Sequence, residues 1–166
     1  MYQSLDNFLN DWKNESELTL KVLKSLNDQS LSQKVSPEGR TLGFLAWHIV
    51  LTLGEMGSKS GVAIEAPPED APPPAKVAEI IEAYQKASQS LLNHIKNNWN
   101  DSTLQEMVDM YGEQWKRGTA LSALVKHEIH HRAQMTILMR QANLPVPGVY
   151  GPSKEEWSQY GMPPMK

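Results

Sequence analysis

The sequence predicts an all-α protein: a four-helix bundle with a long proline-rich crossover between helices 2 and 3 and a short C-terminal helix. Three observations lead there. Apolar residues recur at three- and four-residue steps over four long stretches, and no stretch alternates convincingly with the period of two that marks a strand. One segment, Glu65 to Ala75, reads EAPPEDAPPPA, and its prolines cannot donate to a helix or a sheet ladder. The 166 residues and 40% hydrophobic content suit one domain, residues 1–166, with a core of its own.

The first helix is carried by Leu5, Leu9, Trp12, Thr19, Val22, Leu23 and Leu26, with Asp11, Lys13, Asn14 and Glu17 filling the opposite side. The polar run Asn27 to Ser32, followed by Ser36, Pro37 and Gly39, ends it and predicts a loop of about ten residues. Thr41 is placed to cap the second helix, LGFLAWHIVLTLGEMG, which is apolar nearly all round and so buried on more than one face. Gly43, Gly54 and Gly57 lower its helicity, which points to close approach of another backbone, with tight packing as the bland alternative. Extended at about 3.3 Å per residue, the chain from Ser58 to Ala75 reaches over about 50 Å, enough to run the length of a bundle.

Val77, Ile80, Ile81, Tyr84, Ser88, Leu91, Leu92, Ile95 and Trp99 mark the third helix, with Pro74 near its first turn and His94 beside its apolar stripe. Asn100 to Gly118 has no clear period, and no conformation follows from it. Thr119 is placed to cap a fourth helix through the apolar run Ala120 to Ala142, which Pro145 limits. The tail LPVPGVYGPSKEEWSQYGMPPMK is rich in rings and is expected to dock on the bundle. Within it, Ser153 and Glu156 form a capping-box pattern for a short helix around Trp157.

Charge and composition exclude several functions. The net charge is -3 and the 16 basic residues are scattered, without the stripe of a nucleic-acid binder. There are no cysteines, so disulfides are excluded, any metal must be held by nitrogen and oxygen, and the chain has no thiol nucleophile. The acidic, amphipathic start MYQSLDNFLNDWKNE lacks the features of a signal peptide, and no long unbroken apolar run occurs. A soluble cytoplasmic protein without a membrane partner is expected.

Chemistry concentrates at HEIHH, residues 127 to 131. At about 3.6 residues per turn, His127 and His131 share one helix face with Leu124, Met135 and Leu138, so both imidazoles point toward packed interior. Two such rings suit one ion, and His48 on the second helix is a third candidate. Bland core histidines, each satisfied by hydrogen bonds, are the alternative. Three neutral imidazoles on a divalent ion leave a coordination position for water or substrate, which is the pattern of catalytic rather than structural sites. His130 is turned away from the His127/His131 edge and is expected to face another helix or a subunit interface. Glu128 is a candidate acceptor for a ligand N–H or an acid/base beside the site; a solvated Glu, or one paired with Arg132, is the alternative.

Three stretches, LGFLAWHI around His48, HEIHHRAQM around His127 and His131, and LPVPGVYGPS in the tail, resemble the DinB/YfiT-like proteins. That superfamily of helical bundles is unrelated to the DNA polymerase sharing the DinB name, and the likeness runs from the first helix through the tail. The resemblance implies a divalent metal on His48, His127 and His131, with zinc or nickel expected first and iron or manganese next. It also implies a homodimer. Some members of that family are S-transferases or isomerases that use small thiols such as bacillithiol or mycothiol, and others are described as metal-dependent hydrolases.

Three functions follow as expectations. The first is a metal-dependent enzyme that activates a low-molecular-weight thiol for transfer to an electrophile, with a hydrolase using metal-bound water as its near neighbour. The second is a zincin-type protease, because HEIHH satisfies H-E-x-x-H, although no further His follows His131. The third is a non-catalytic metal-binding dimeric module.

Overall fold

The computed structural model describes residues 1–164. Four helices dominate it: α1 (Leu5–Leu23), α2 (Leu42–Lys59), α3 (Val77–Asn98) and α4 (Arg117–Gln141). The central helix α2 packs on α3 and α4, while α1 closes the other side against the same two helices. Phe8 and Trp12 of α1, Ile49 and Leu53 of α2, Ile80 and Leu91 of α3, and Leu121 and Met135 of α4 are all buried in one core.

Helix boundaries follow from capping chemistry. The Thr41 hydroxyl accepts the Phe44 N–H at 2.9 Å, as its position in the sequence predicts. α3 has no cap from its own flank; Asp28, in the 3₁₀ turn Asp28–Ser32 after α1, accepts the Val77 N–H at 2.9 Å and the Lys76 ammonium at 3.0 Å. The region expected to be loop after α1 is therefore partly ordered into that turn, which the Asn27 and Ser30 side chains box in reciprocally. Thr119 does not cap α4. The helix starts two residues earlier, at Arg117, whose N–H goes to the Glu106 carbonyl at 2.9 Å.

The all-α expectation fails between Asn100 and Gly118. Met107–Met110 (β1) and Glu113–Lys116 (β2) form an antiparallel hairpin, in register from Met107 opposite Lys116 to Met110 opposite Glu113. Its two turn residues, Tyr111 at φ 61° and Gly112 at φ 87°, are both left-handed, the requirement of a two-residue hairpin turn whose twist matches the strands. The strands are short and largely exposed, with Met110 alone fully buried among their residues, so hydrophobic alternation has little to register. The Tyr111 hydroxyl donates to Glu55 of α2 at 2.8 Å, tying the hairpin tip to the helix.

Residues 62–76, which contain the prolines, form neither helix nor strand between α2 and α3. They are pinned by the Trp47 indole N–H to the Ala71 carbonyl at 2.7 Å and the Glu65 N–H to the Ser90 hydroxyl at 2.8 Å. This linker also explains two glycines of α2. A Cβ at Gly54 would stand 2.7 Å from the Ala66 Cβ, and one at Gly57 would overlap Ile64. What approaches these glycines closely is a pair of linker side chains rather than another backbone.

The tail docks through Tyr150, which meets Arg132 and Glu15, and through Glu156, which accepts from the Gly148 N–H at 2.9 Å and from Lys21 at 3.3 Å. Ser153 donates its N–H to Glu156, and a 3₁₀ turn covers Trp157–Tyr160. Among the described residues no helix is long and apolar enough to cross a membrane.

Candidate metal centre

α2 lies against α4, and their facing sides bring three imidazoles together. His48 comes from α2, while His127 and His131 sit one turn apart on α4. One ring nitrogen from each lies within 4.8 Å of the other two, and among the described residues no carboxylate joins this group. Ring centroids are 4.4 Å apart for His127 and His131, 4.6 Å for His48 and His131, and 5.0 Å for His48 and His127. His131 is buried and the other two are half-buried, so the cluster opens toward one side. Phe44, one turn before His48, stacks on its ring at 5.7 Å and 13° between planes.

All three rings favour the neutral form. Burial is the largest cause for each. His127 is held at about 4 by burial and by the neighbouring His131, His48 and His130. His48 is lowered by burial, then by His131 and Arg40. His131 is lowered by burial against a contrary pull from its hydrogen bond to Gln134. Neutral imidazoles at neutral pH present lone pairs, which is the state a metal requires.

Two further details bear on whether the residues suit an ion. The Nε2 atoms of His127 and His131 are 3.2 Å apart, close to the spacing of two nitrogens that each reach one tetrahedral ion at about 2.0–2.1 Å. His131 Nδ1 lies 2.8 Å from the Gln134 carbonyl oxygen, which can only accept, so Nδ1 carries the proton and Nε2 is left with its lone pair. The Gln134 amide nitrogen in turn lies 3.0 Å from His130 Nε2. The donor set fits a divalent ion, and the histidine triad could hold one.

The sequence model of the DinB family matches residues 1–163. The chain belongs to the DinB family. YrdA of Bacillus subtilis strain 168, an uncharacterized protein, is 44% identical over 162 residues, covering 98% of this chain and 97% of YrdA. A crystal structure of a DinB-like protein from Bacillus cereus ATCC 10987 superposes with a TM-score of 0.87 at 40% identity, covering 90% of this chain and all of that one. A second DinB-like structure, YjoA from Bacillus subtilis, shares the fold at a TM-score of 0.64 and 15% identity, over 84% of this chain and 95% of its own.

In this DinB-family chain Glu128 stands apart from the triad. It is buried and accepts from the Thr19 hydroxyl at 2.6 Å and from the Tyr84 hydroxyl at 2.8 Å, on α1 and α3. Burial pushes its carboxyl up to about 7, against the pull of those two hydroxyls and of Arg132. Its ion-pair alternative is also modified: Arg132 bridges to the Glu15 carboxylate at 2.5 Å, the Thr19 hydroxyl at 3.0 Å and Tyr150 at 2.6 Å. A zincin reading needs Glu128 beside the ion, and its hydrogen bonds are directed to α1 and α3 instead. His130 is exposed and meets the triad directly, its ring 5.0 Å from that of His131, and through Gln134, while His94 is half-buried on α3, outside the cluster.

Sequence reasoning did not single out Gln134, Phe44 or Arg40. Gln134 had a readable signal, a polar residue three positions after a ligand candidate on the same helix face. Phe44 had the matching one, four positions before His48. Arg40 lies outside any helix, where spacing carries no information about direction.

Proposed function

We propose that this chain is a divalent-metal enzyme that binds a small thiol at an open three-histidine site and transfers its sulfur to a carbon electrophile. The observation that carries this reading is a convergence of three neutral imidazoles with no fourth protein ligand among the described residues. Zinc or nickel suits the all-nitrogen set, with iron or manganese next. When bound, such an ion supplies the Lewis acidity that keeps a thiol ionised at neutral pH, which accounts for thiol chemistry in a cysteine-free protein.

The chain's own contributions are orientation and desolvation. His48, His127 and His131 are the ligands, Gln134 holds His131 in the tautomer that frees Nε2, and Phe44 packs against His48. In the transfer, a bond forms between the thiol sulfur and the electrophilic carbon as that carbon's bond to the leaving group breaks. The leaving group departs with the bonding pair and the thiol proton passes to solvent. Glu128 takes no part, because its carboxylate is engaged with Thr19 and Tyr84. The homodimer implied by the family resemblance belongs to the same reading and is tested by sedimentation.

The test is elemental analysis of the purified protein beside His48→Ala, with a chromogenic electrophile assayed in the presence of small thiols. Stoichiometric metal in the wild type, its loss in the variant and a metal-dependent rate that needs thiol are expected. A rate that persists without thiol would point to hydrolysis by metal-bound water, and absence of metal would overturn both.

A further inference from the structure

One helical turn from the triad, toward the N-terminus of α2, lies a cavity of about 340 Å³ lined by Val35, Arg40, Leu45, Gln134, Ile137 and Leu138. Its volume is in the range of small-molecule sites. Two residues join it to the metal centre: Gln134, whose carbonyl holds His131, and Leu45, three residues before His48. A rise of about 1.5 Å per residue puts each about 4.5 Å along the helix from its histidine.

The walls divide by chemistry. Leu45 and Leu138 are buried and form an apolar floor, while Val35 and Ile137 are exposed apolar residues on the rim. Arg40 is the cavity's one charged residue, and among the described residues it has no carboxylate partner. Its guanidinium lies over the Phe44 ring, 4.7 Å from the centroid, and Phe44 stacks in turn on His48. The succession of Arg40 over Phe44 and Phe44 on His48 therefore holds an uncommitted bidentate donor beside the triad. An arginine whose only partner among the described residues is an aromatic face keeps its N–H fork free for a carboxylate.

We infer that this cavity binds the body of the substrate, a small carboxylic acid with an apolar chain or ring, its carboxylate on Arg40 and its reactive end directed at the histidine triad. This rests on the metal-enzyme reading for the role of the triad, while the acid preference of the cavity stands on Arg40 and the apolar walls alone. Neutral analogues lose the Arg40 fork, and dianions with no apolar portion lose the floor.

The experiment titrates 4-phenylbutyrate and 4-phenylbutanol into zinc-supplemented, ¹⁵N-labelled full-length protein, following backbone amide shifts. The acid is expected to bind about tenfold more tightly than the alcohol, the difference of one charge-assisted hydrogen-bonded contact, with shifts centred on Leu45, Gln134 and Leu138. Arg40→Gln, an exposed position, should abolish that preference by weakening the acid far more than the alcohol, and Ile137→Glu, which removes an apolar rim contact and adds a like charge, should weaken both and the acid more. Equal binding of acid and alcohol by the wild type overturns the proposal. So does a preference that survives in Arg40→Gln, since that is carboxylate bound directly to metal. Cobalt uptake, read from its visible spectrum, separates the two readings. An Arg40-dependent acid preference in a protein that takes up no cobalt retains the cavity and overturns the metal enzyme. Cobalt uptake without acid preference does the reverse.

Discussion

Gln134 offers a two-sided test of the metal centre. Its carbonyl accepts from His131 Nδ1 at 2.8 Å, which raises the basicity of Nε2 and fixes the ring plane. Loss of such a partner costs about 10- to 100-fold in metal affinity. Gln134 is exposed, so water can replace the lost acceptor, and the lower end applies: about tenfold, or about 1.4 kcal/mol, for Gln134→Leu. Gln134→Glu should move the other way, because a carboxylate is a stronger acceptor for the same N–H and polarises the imidazole further. The glutamate variant keeps the length and shape of the side chain, and the leucine variant ends one atom short of it. The assay is competitive zinc titration against a chromogenic chelator at pH 7.5, with circular dichroism as the control for folding. Equal affinities for the wild type and both variants would refute the assignment of Gln134 as the group that sets His131.

Three other perturbations separate site from scaffold. Glu128→Gln should leave metal affinity unchanged, since both hydroxyl donors can still be accepted by the amide oxygen; a protease reading requires it to abolish activity. The same variant carries a pH prediction. Glu128 is raised in the folded protein to about 7, so its contribution to stability is fully present below the unfolded carboxyl value and is lost as pH rises through about 7. Urea midpoints of wild type and Glu128→Gln measured from pH 5 to 8.5 should therefore show the wild type falling relative to the variant, and parallel curves would contradict the raised carboxyl. Arg132→Met leaves the half-buried Glu15 carboxylate without its cation, and about 3 kcal/mol of stability should be lost in denaturant titration, with tail proteolysis at Tyr150 as a second readout.

How much of this was legible in the sequence depends on what each feature needs. The four helices and the shared face of His127 and His131 follow from periodicity and i, i+4 spacing, because a helix face is set by local geometry; that His48 belongs with them is what the resemblance to the DinB/YfiT-like proteins implies. The hairpin was not legible. Its strands bury almost nothing, and its turn uses Tyr111, a residue that rarely takes a left-handed conformation, in place of the usual Asn or Asp before glycine. The start of α4 was misread for a related reason: Thr119 has the chemistry of a cap, but the chain enters the helix directly from β2, and the Arg117 N–H is met by a backbone carbonyl. The partners of Glu128 and Arg132 were illegible because Thr19, Tyr84, Glu15 and Tyr150 come from distant parts of the chain, and only the packed bundle brings them together.

Neighbouring residues 131 and 132 reach out from flanks of α4 about 100° apart, one toward α2 and one into a polar knot made by α1 and the tail. A cylinder gripped on both flanks cannot roll about its own axis. The nitrogen atoms are consequently held in place by protein alone, and a chelator should strip an ion without melting the scaffold. An ion taken up by such a preformed triad would be set by exchange with the surrounding pool, at any time in the protein's life, rather than once, during folding.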